Sequence, residues 1–237
     1  MKRFSVHQLA LIICLVFTLT ASVAQAQTSC AVSGDVTSLG TPLAGNKGDI
    51  NDQILLTHGA ELSRQLGVYP AIFYLQEAGN PNAFATSNRY PNLLAAEGRP
   101  YYDGPDGTVL IGLQLLDTEW RATSGTGQSI APIEAHEFTH IAQNKYGFPY
   151  QGKWRELHAD YVAGWYTAHT CRAGNCNPYQ AMANFFYKGG GDHGTREERA
   201  TAFAEGFKLN RDRGIDSGML AYQYGVQYIS ALVAYSR

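Results

Sequence analysis

The sequence predicts an α+β fold, in which a small sheet is followed by a mostly helical remainder. Two observations support this prediction. The clearest strand patterns, which are runs of branched and aromatic residues bounded by turn-forming residues, lie in the first half of the chain. From residue 129 onward, apolar residues recur at helical spacing in one segment after another. No internal repeat or low-complexity tract interrupts this organisation.

The first 26 residues are typical of a signal peptide. Lys2 and Arg3 give a positive start, an uncharged apolar run covers 9–23, and an Ala-Gln-Ala sequence at 24–26 is a cleavage pattern. An uncut membrane anchor is the alternative, but an apolar run of roughly 15 residues is short for a bilayer span, which needs about 20. We therefore expect a secreted or periplasmic chain that starts at Gln27 and has no stable membrane association.

The mature chain of about 210 residues is long enough for one domain and short for two. We expect a single domain over 49–237, preceded by a loosely ordered segment, 27–48, that is rich in Gly, Ser, Thr and Pro and has the composition of a prosegment. The formal net charge is -2 and there is no long run of Lys or Arg. Nucleic acid and anionic membrane surfaces are therefore not indicated as partners.

Three cysteines remain after the signal peptide. Cys171 and Cys176 flank a turn-forming Arg-Ala-Gly-Asn stretch, which predicts a local disulfide in an exported protein. Their spacing does not fit a CxxC zinc site, and Cys30 has no obvious partner.

The predicted elements follow in chain order. A helix is predicted at 49–67 from its apolar spacing, and a strand at 69–76 from its aromatic and branched residues. Residues 80–105 are rich in proline and are expected to be irregular, with room for a short strand near Phe84. The strongest strand pattern is 107–113, which follows a Pro-Asp-Gly turn signal and precedes a charged turn. Helices are then predicted at 129–146, 154–169, 178–187, 195–210 and 216–235.

The first of these later helices carries His136, Glu137 and His140 in the sequence HEFTH. Residues four apart share a helix face, so the two imidazoles lie one turn apart on the same side. Glu137 occupies the position from which a carboxylate reaches a metal-bound water without ligating the metal. Ser129 is the expected N-cap of this helix, and Gly147 its stop.

The next helix supplies a third ligand, which zinc needs if one coordination position is to stay open for chemistry. Glu156 and Asp160 are again four apart and face the same way. We predict Glu156 as the third ligand of one Zn²⁺ per chain, and Asp160 as an acceptor that orients one of the histidines. The alternative is that Asp160 ligates with Glu156 behind it. His158 lies on another face and is predicted at the surface or on the substrate side.

These residues predict hydrolysis by a zinc-bound water. Glu137 accepts the proton of the water and delivers it to the leaving amine. His193, which lies in Gly-Asp-His-Gly just before a helix, is the first candidate for the donor to the oxyanion. Tyr161 and Tyr166 are the next candidates. A surface loop histidine is the alternative reading of His193. The strand around 109–113 is expected to line the cleft by pairing with an extended peptide.

Three segments, HEFTHIAQ, ELHADYVAGW and HGTREERATAFAEGF, resemble in that order three blocks of the neutral zinc metallopeptidases of bacteria, a gluzincin-like family. The resemblance covers about 132–209 and implies a zincin-like catalytic domain. His158 departs from the family pattern, which usually has glutamine or a similar polar residue there. The residues that the resemblance assigns are the zinc ligands His136, His140 and Glu156, the base Glu137, and His193 near the site.

The function expected from the sequence is therefore an exported zinc metallopeptidase that acts on proteins or peptides. Two other functions are compatible with the same motifs. One is a different or narrowly specific zinc hydrolase, and the other is a catalytically silent, zinc-containing binding protein of the envelope. A decayed site would be expected to lose the base first, and Glu137 is present.

Overall fold

The computed structural model describes residues 31–32, 39–43, 50–79, 81–90, 105–123, 127–171 and 193–236. These residues form five strands and six helices, and the predicted α+β class is confirmed. None of the described helices is long and apolar enough to cross a membrane. The strands are β1 (Ala31–Val32), β2 (Gly40–Leu43), β3 (Ala71–Glu77), β4 (Ala83–Thr86) and β5 (Thr108–Gly112). The helices are α1 (Ile50–Leu66), α2 (Leu113–Ala122), α3 (Ile130–Tyr146), α4 (Lys153–Cys171), α5 (Arg196–Arg211) and α6 (Gly218–Tyr235).

The five strands form one mixed sheet in the order β1-β4-β5-β3-β2. Strand β5 is central, since it pairs antiparallel with β4 on one side and parallel with β3 on the other. All five of its residues are buried. The prediction that the strand around 109–113 pairs with a substrate peptide is therefore wrong, because both of its edges already pair with other strands.

Three elements were not predicted from the sequence, namely the two-residue strand β1, strand β2 and helix α2. Strand β2 lies within the segment 27–48 and pairs antiparallel with β3. Helix α2 follows directly on β5, where a turn was expected, and its N-terminus is held from a distance. The carboxylate of Glu77 accepts hydrogen bonds of 3.0 Å from the backbone N–H groups of Gln114 and Leu115. Because Glu77 comes from a separate strand, no local capping pattern marks the start of this helix.

The short strand expected near Phe84 is confirmed as β4. The signal peptide at 1–26 and the helix predicted at 178–187 lie outside the described residues. So does Cys176, and the disulfide between it and Cys171 stays a prediction.

Helix α3 lies in the middle of the molecule, where it contacts α1, α4, β4 and β5. Its apolar side chains, including the fully buried Phe138 and Ile141, belong to the main core, and burying each contributes about 1.5–3 kcal/mol. Gly147 ends the helix in the left-handed conformation (φ 70°), as predicted. Ser129 is the N-cap residue, as predicted, although its side chain makes no capping hydrogen bond.

Helices α4 and α5 are in backbone contact at two glycines. A Cβ on Gly164 would overlap the carbonyl oxygen of Phe203, and a Cβ on Gly206 would overlap that of Tyr161. Each glycine therefore lets the opposite main chain approach more closely than any other residue would allow. This close packing places the first turn of α5 against the middle of α4, and it determines part of the site described next.

Candidate metal centre

His136 and His140 present their rings to the same point beside α3. Both residues are almost fully buried, at 2% and 0% exposure. Their rings meet edge to face with centroids 4.7 Å apart, and their Nε2 atoms are separated by 3.1 Å. Two nitrogen lone pairs this close repel each other unless a proton or a cation lies between them. The arrangement therefore favours a bound cation.

Glu156 of α4 completes a group that could hold a metal ion. Its Oε2 lies 3.3 Å from Nε2 of His136, and its Oε1 lies 3.5 Å from Nε2 of His140. Donor atoms at the corners of a tetrahedron with zinc bond lengths of 2.0–2.2 Å lie about 3.4 Å apart. The three observed separations, two of which join different oxygens of Glu156 to the two histidines, are close to this spacing.

Glu156 is in the protonation state that a metal ligand requires. Burial acts to raise the pKa of Glu156, but the adjacent His140 and His136 outweigh it and hold this pKa well below its usual range. The carboxylate is therefore ionised at neutral pH. The predicted third donor thus lies with the two histidines, in a suitable chemical form.

Behind His136, away from the donor atoms, lies Asp160. Nδ1 of His136 is 3.0 Å from Oδ1 of Asp160. Asp160 is completely buried and is held by Arg199 of α5, whose Nε and Nη2 each donate a 2.8 Å hydrogen bond to the carboxylate. Burial acts to raise the pKa of Asp160, but the Arg199 charge more than offsets it, so the pKa is lowered.

Arg199 was not among the site residues predicted from the sequence. The sequence does indicate that Asp160 needs a positively charged partner, because a carboxylate on the buried face of a helix needs a counter-charge. Nothing in the sequence alone, however, selects this arginine from the others. Arg199 reaches Asp160 because α4 and α5 pack closely at Gly164 and Gly206.

A second support lies behind His140. Nδ1 of His140 is 2.8 Å from Oε1 of Gln143, which lies one turn later on α3 and is itself buried. Nε2 of Gln143 is in turn 2.9 Å from Nδ1 of His158. Each of the two histidines of the donor group therefore has its own partner at Nδ1, one a carboxylate and the other an amide.

His158 is fully buried, so its predicted position at the surface or on the substrate side is wrong. The reason is helix α6, which covers this face of α4 and places the carbonyl oxygen of Tyr222 3.0 Å from Nε2 of His158. Phe148 stacks on the imidazole with ring centroids 4.5 Å apart. Burial lowers the pKa of His158 to about 3, so the ring is neutral.

Glu137 lies beside the donors but is not among them. It is 2% exposed, and within the described part of the chain its Oε2 has no hydrogen-bond partner. The pKa of Glu137 is raised to about 8. Burial is the main cause; the neighbouring Glu156 also acts to raise this pKa, and His136 acts to lower it. A cation in the adjacent donor group would favour the ionised form. Without a cation Glu137 is therefore mostly protonated at neutral pH, and it becomes a proton acceptor when a cation in the donor group favours its ionised form.

His193 reaches the site from the segment before α5. Its Nε2 lies 3.5 Å from Oε2 of Glu156. The left-handed Gly194 (φ 85°) and the capping box of Thr195 with Glu198 fix the start of α5 directly after it. The structure therefore brings His193 next to the metal-ligand group.

Tyr161 and Tyr166, the next candidates after His193 for the donor to the oxyanion, make other contacts. The hydroxyl of Tyr166 is 2.9 Å from Nδ1 of His58 on α1. The ring of Tyr161 stacks on Tyr228 of α6. We therefore do not include either tyrosine in the candidate site.

A second buried glutamate, Glu134, lies one turn before the site on α3. It is completely buried near Gly59 and Phe138, and neither carboxyl oxygen has a hydrogen-bond partner among the residues that the structure describes. Burial raises its pKa well above the ordinary value of 4.5. Glu134 is therefore a neutral carboxylic acid in the folded protein.

Glu134→Gln is expected to gain stability over the wild type as the pH rises. In the unfolded wild type the carboxyl loses its proton near pH 4.5, whereas the folded form keeps it, so folding is disfavoured by up to about 1.4 kcal/mol per pH unit up to the folded pKa. The amide has no such dependence. Urea unfolding of both proteins at pH 5 and pH 8 measures the difference, and an equal difference at the two pH values would contradict this account of Glu134. Glu134→Met, which removes the polar atoms as well, should show the same trend.

Comparisons with family models, with curated proteins and with solved structures found no match to this chain. The evidence for function therefore lies in the donor group, its two supports and the adjacent carboxyl of Glu137.

Proposed function

We propose that this chain is an exported zinc-dependent peptidase that hydrolyses peptide bonds. The observation that supports the proposal best is the convergence of His136, His140 and Glu156 on one point, with a second carboxyl group, that of Glu137, left beside them. Two imidazoles and one carboxylate suit zinc, and three protein donors leave a coordination position open, as in catalytic sites. A structural zinc site would normally be closed by a fourth protein ligand.

The roles of the residues follow from their positions. Zinc in such a donor group supplies a water activated near neutral pH and polarises a substrate carbonyl. Glu137 accepts a proton from the attacking water and delivers it to the leaving amine. His193 donates a hydrogen bond to the oxygen on which negative charge develops. Asp160 and Gln143 keep the two histidine ligands oriented, with the proton on Nδ1 in each.

A second candidate function is favoured by one observation. The donors and Glu137 are each no more than 3% exposed, which suits a protein that retains its metal more than it suits a generalist peptidase. A narrowly specific zinc hydrolase, or an envelope protein that binds zinc without turnover, would also have this burial. Substrate cleavage separates these functions, and metal content tests the premise that they share.

The test is a metal analysis of the purified mature chain by mass spectrometry, paired with cleavage of casein. We expect one zinc per chain, loss of cleavage after chelation, and recovery on adding zinc back. Zinc without cleavage would support the second candidate function, and a chain that neither contains nor takes up zinc would disprove the proposal.

Metal removal is also expected to lower the melting temperature. A ligand that binds only the folded state stabilises it by about 4 kcal/mol when present at 1,000 times its dissociation constant. Thermal unfolding of the chelated chain beside the zinc-loaded chain measures this loss. Magnesium, which prefers all-oxygen coordination, is the matched control ion and should not restore the melting temperature.

A further inference from the structure

His158 lies two residues after Glu156 on α4, but it faces away from the donor group. Its ring is fully enclosed and has a partner at each nitrogen. Nδ1 lies 2.9 Å from Nε2 of Gln143, and Nε2 lies 3.0 Å from the carbonyl oxygen of Tyr222. A hydrogen-bond chain therefore runs from the backbone of α6 through His158 and Gln143 to the metal-ligand group.

The direction of every hydrogen bond in this chain is fixed by its first member, the carbonyl group of Tyr222. The carbonyl oxygen of Tyr222 can only accept, so Nε2 of His158 carries the ring proton. Nδ1 of a neutral His158 is then an acceptor and must face the amide nitrogen of Gln143. The other N–H of that amide donates to the carbonyl of Arg155 at 2.8 Å. Both donors of Gln143 are thus used, and its oxygen is left for His140.

The oxygen of Gln143 accepts from His140, so His140 carries its proton on Nδ1. Its Nε2 is consequently the nitrogen with the free lone pair, and it points at the other donors. If His158 were absent, Gln143 would lose one of the two acceptors that fix its orientation. The amide could then turn and offer an N–H to His140, which would favour the wrong tautomer for metal binding.

We propose that His158 is a positioning residue that sets the tautomer and ring orientation of His140 through Gln143. The expected effect on zinc binding rests on the proposed function. The tautomer of His140 follows from the hydrogen bonds alone. His158 also connects α6 to the metal centre. Gly225 of α6 supports this connection, because a Cβ there would lie 2.8 Å from Cδ2 of His158, so the main chain of α6 limits the position of the ring.

The variant that tests the proposal is His158→Phe, which keeps an aromatic ring against Phe148 but removes both nitrogens. Loss of a residue that orients a metal ligand typically weakens metal binding 10- to 100-fold, and we expect a loss in that range, measured by competition with a chromophoric chelator. His158→Asn, whose side-chain oxygen can accept from Gln143, should recover part of it. The visible spectrum of the cobalt-substituted protein should change with His158→Phe.

The matched control is His169→Phe on the same helix. His169 also has a partner at each nitrogen, with Nδ1 2.7 Å from Asp216 and Nε2 3.1 Å from Glu61, and neither partner belongs to the metal-ligand group. We expect this control to bind zinc within about 3-fold of the wild type. A merely structural role for His158 would lower the melting temperature of the metal-free chain but leave zinc affinity at the level of the control.

Long-range ¹H–¹⁵N spectra of the metal-free wild type provide a readout that does not depend on zinc or on a folded variant. They are expected to show His140 protonated on Nδ1 and His158 on Nε2. The opposite tautomer at His140 would overturn the inference even if zinc binds. Equal zinc affinity in wild type and His158→Phe would also overturn it, whereas absence of zinc binding in the wild type would overturn the proposed function and leave the tautomers to decide this inference.

Discussion

Glu137→Gln is expected to lower casein cleavage by about 10²- to 10⁴-fold, which is the usual contribution of a general acid–base residue. Glutamine has nearly the same shape as glutamate but cannot accept a proton from water. Since Glu137 is not among the three donors that converge beside α3, the variant should still contain one zinc per chain. Initial cleavage rates, together with metal content by mass spectrometry, measure both parts of this expectation.

Glu134→Gln is the matched control, because it makes the same change one turn earlier on the same helix at an equally buried position. Cleavage by this variant should stay within a few-fold of the wild type. If Glu137→Gln cleaved casein as fast as Glu134→Gln, Glu137 would not be the base. If it lost zinc together with activity, Glu137 would belong to the ligand group instead.

Arg199→Met is expected to destabilise the metal-free protein by about 3–5 kcal/mol. Methionine fills much of the same volume but leaves the carboxylate of Asp160 buried with no counter-charge. The two 2.8 Å hydrogen bonds from Arg199 would be lost together. Urea unfolding of the chelated chain measures the change, and working without metal keeps the free energy of zinc binding out of the comparison.

Arg211→Met provides the control on the same helix. Arg211 pairs with Asp212 at the surface, where both side chains are at least half exposed, so its removal should change the free energy of unfolding by no more than about 0.5 kcal/mol. An Arg199→Met variant as stable as Arg211→Met would show that Asp160 does not depend on its buried partner.

The donor group could be predicted from sequence because each pair of residues is four apart on a helix. His136 with His140, and Glu156 with Asp160, share their helix faces whatever the rest of the chain does. Only the packing of α3 on α4 had to be assumed. The class of fold was predictable for a similar reason, since strand and helix periodicities are local.

The supporting contacts could not be predicted, because they join residues that are far apart in the chain. Arg199 reaches Asp160 across 39 positions, and the Tyr222 carbonyl reaches His158 across 64. His158 was placed at the surface because its helix face differs from that of Glu156, but periodicity does not reveal that α6 covers this second face. Helix α2 could not be predicted for the same reason, because its N-terminus is held by Glu77 of strand β3.

The two glycine contacts between α4 and α5 limit how much the distance between these helices can vary. Side chains that separate two helices can change rotamer, and the distance between the helices then varies with them. Main chains in van der Waals contact, as at Gly164 and Gly206, cannot approach any further, so they act as a mechanical stop. Thermal motion can therefore change the separation of the two helix backbones only by increasing it at these contacts.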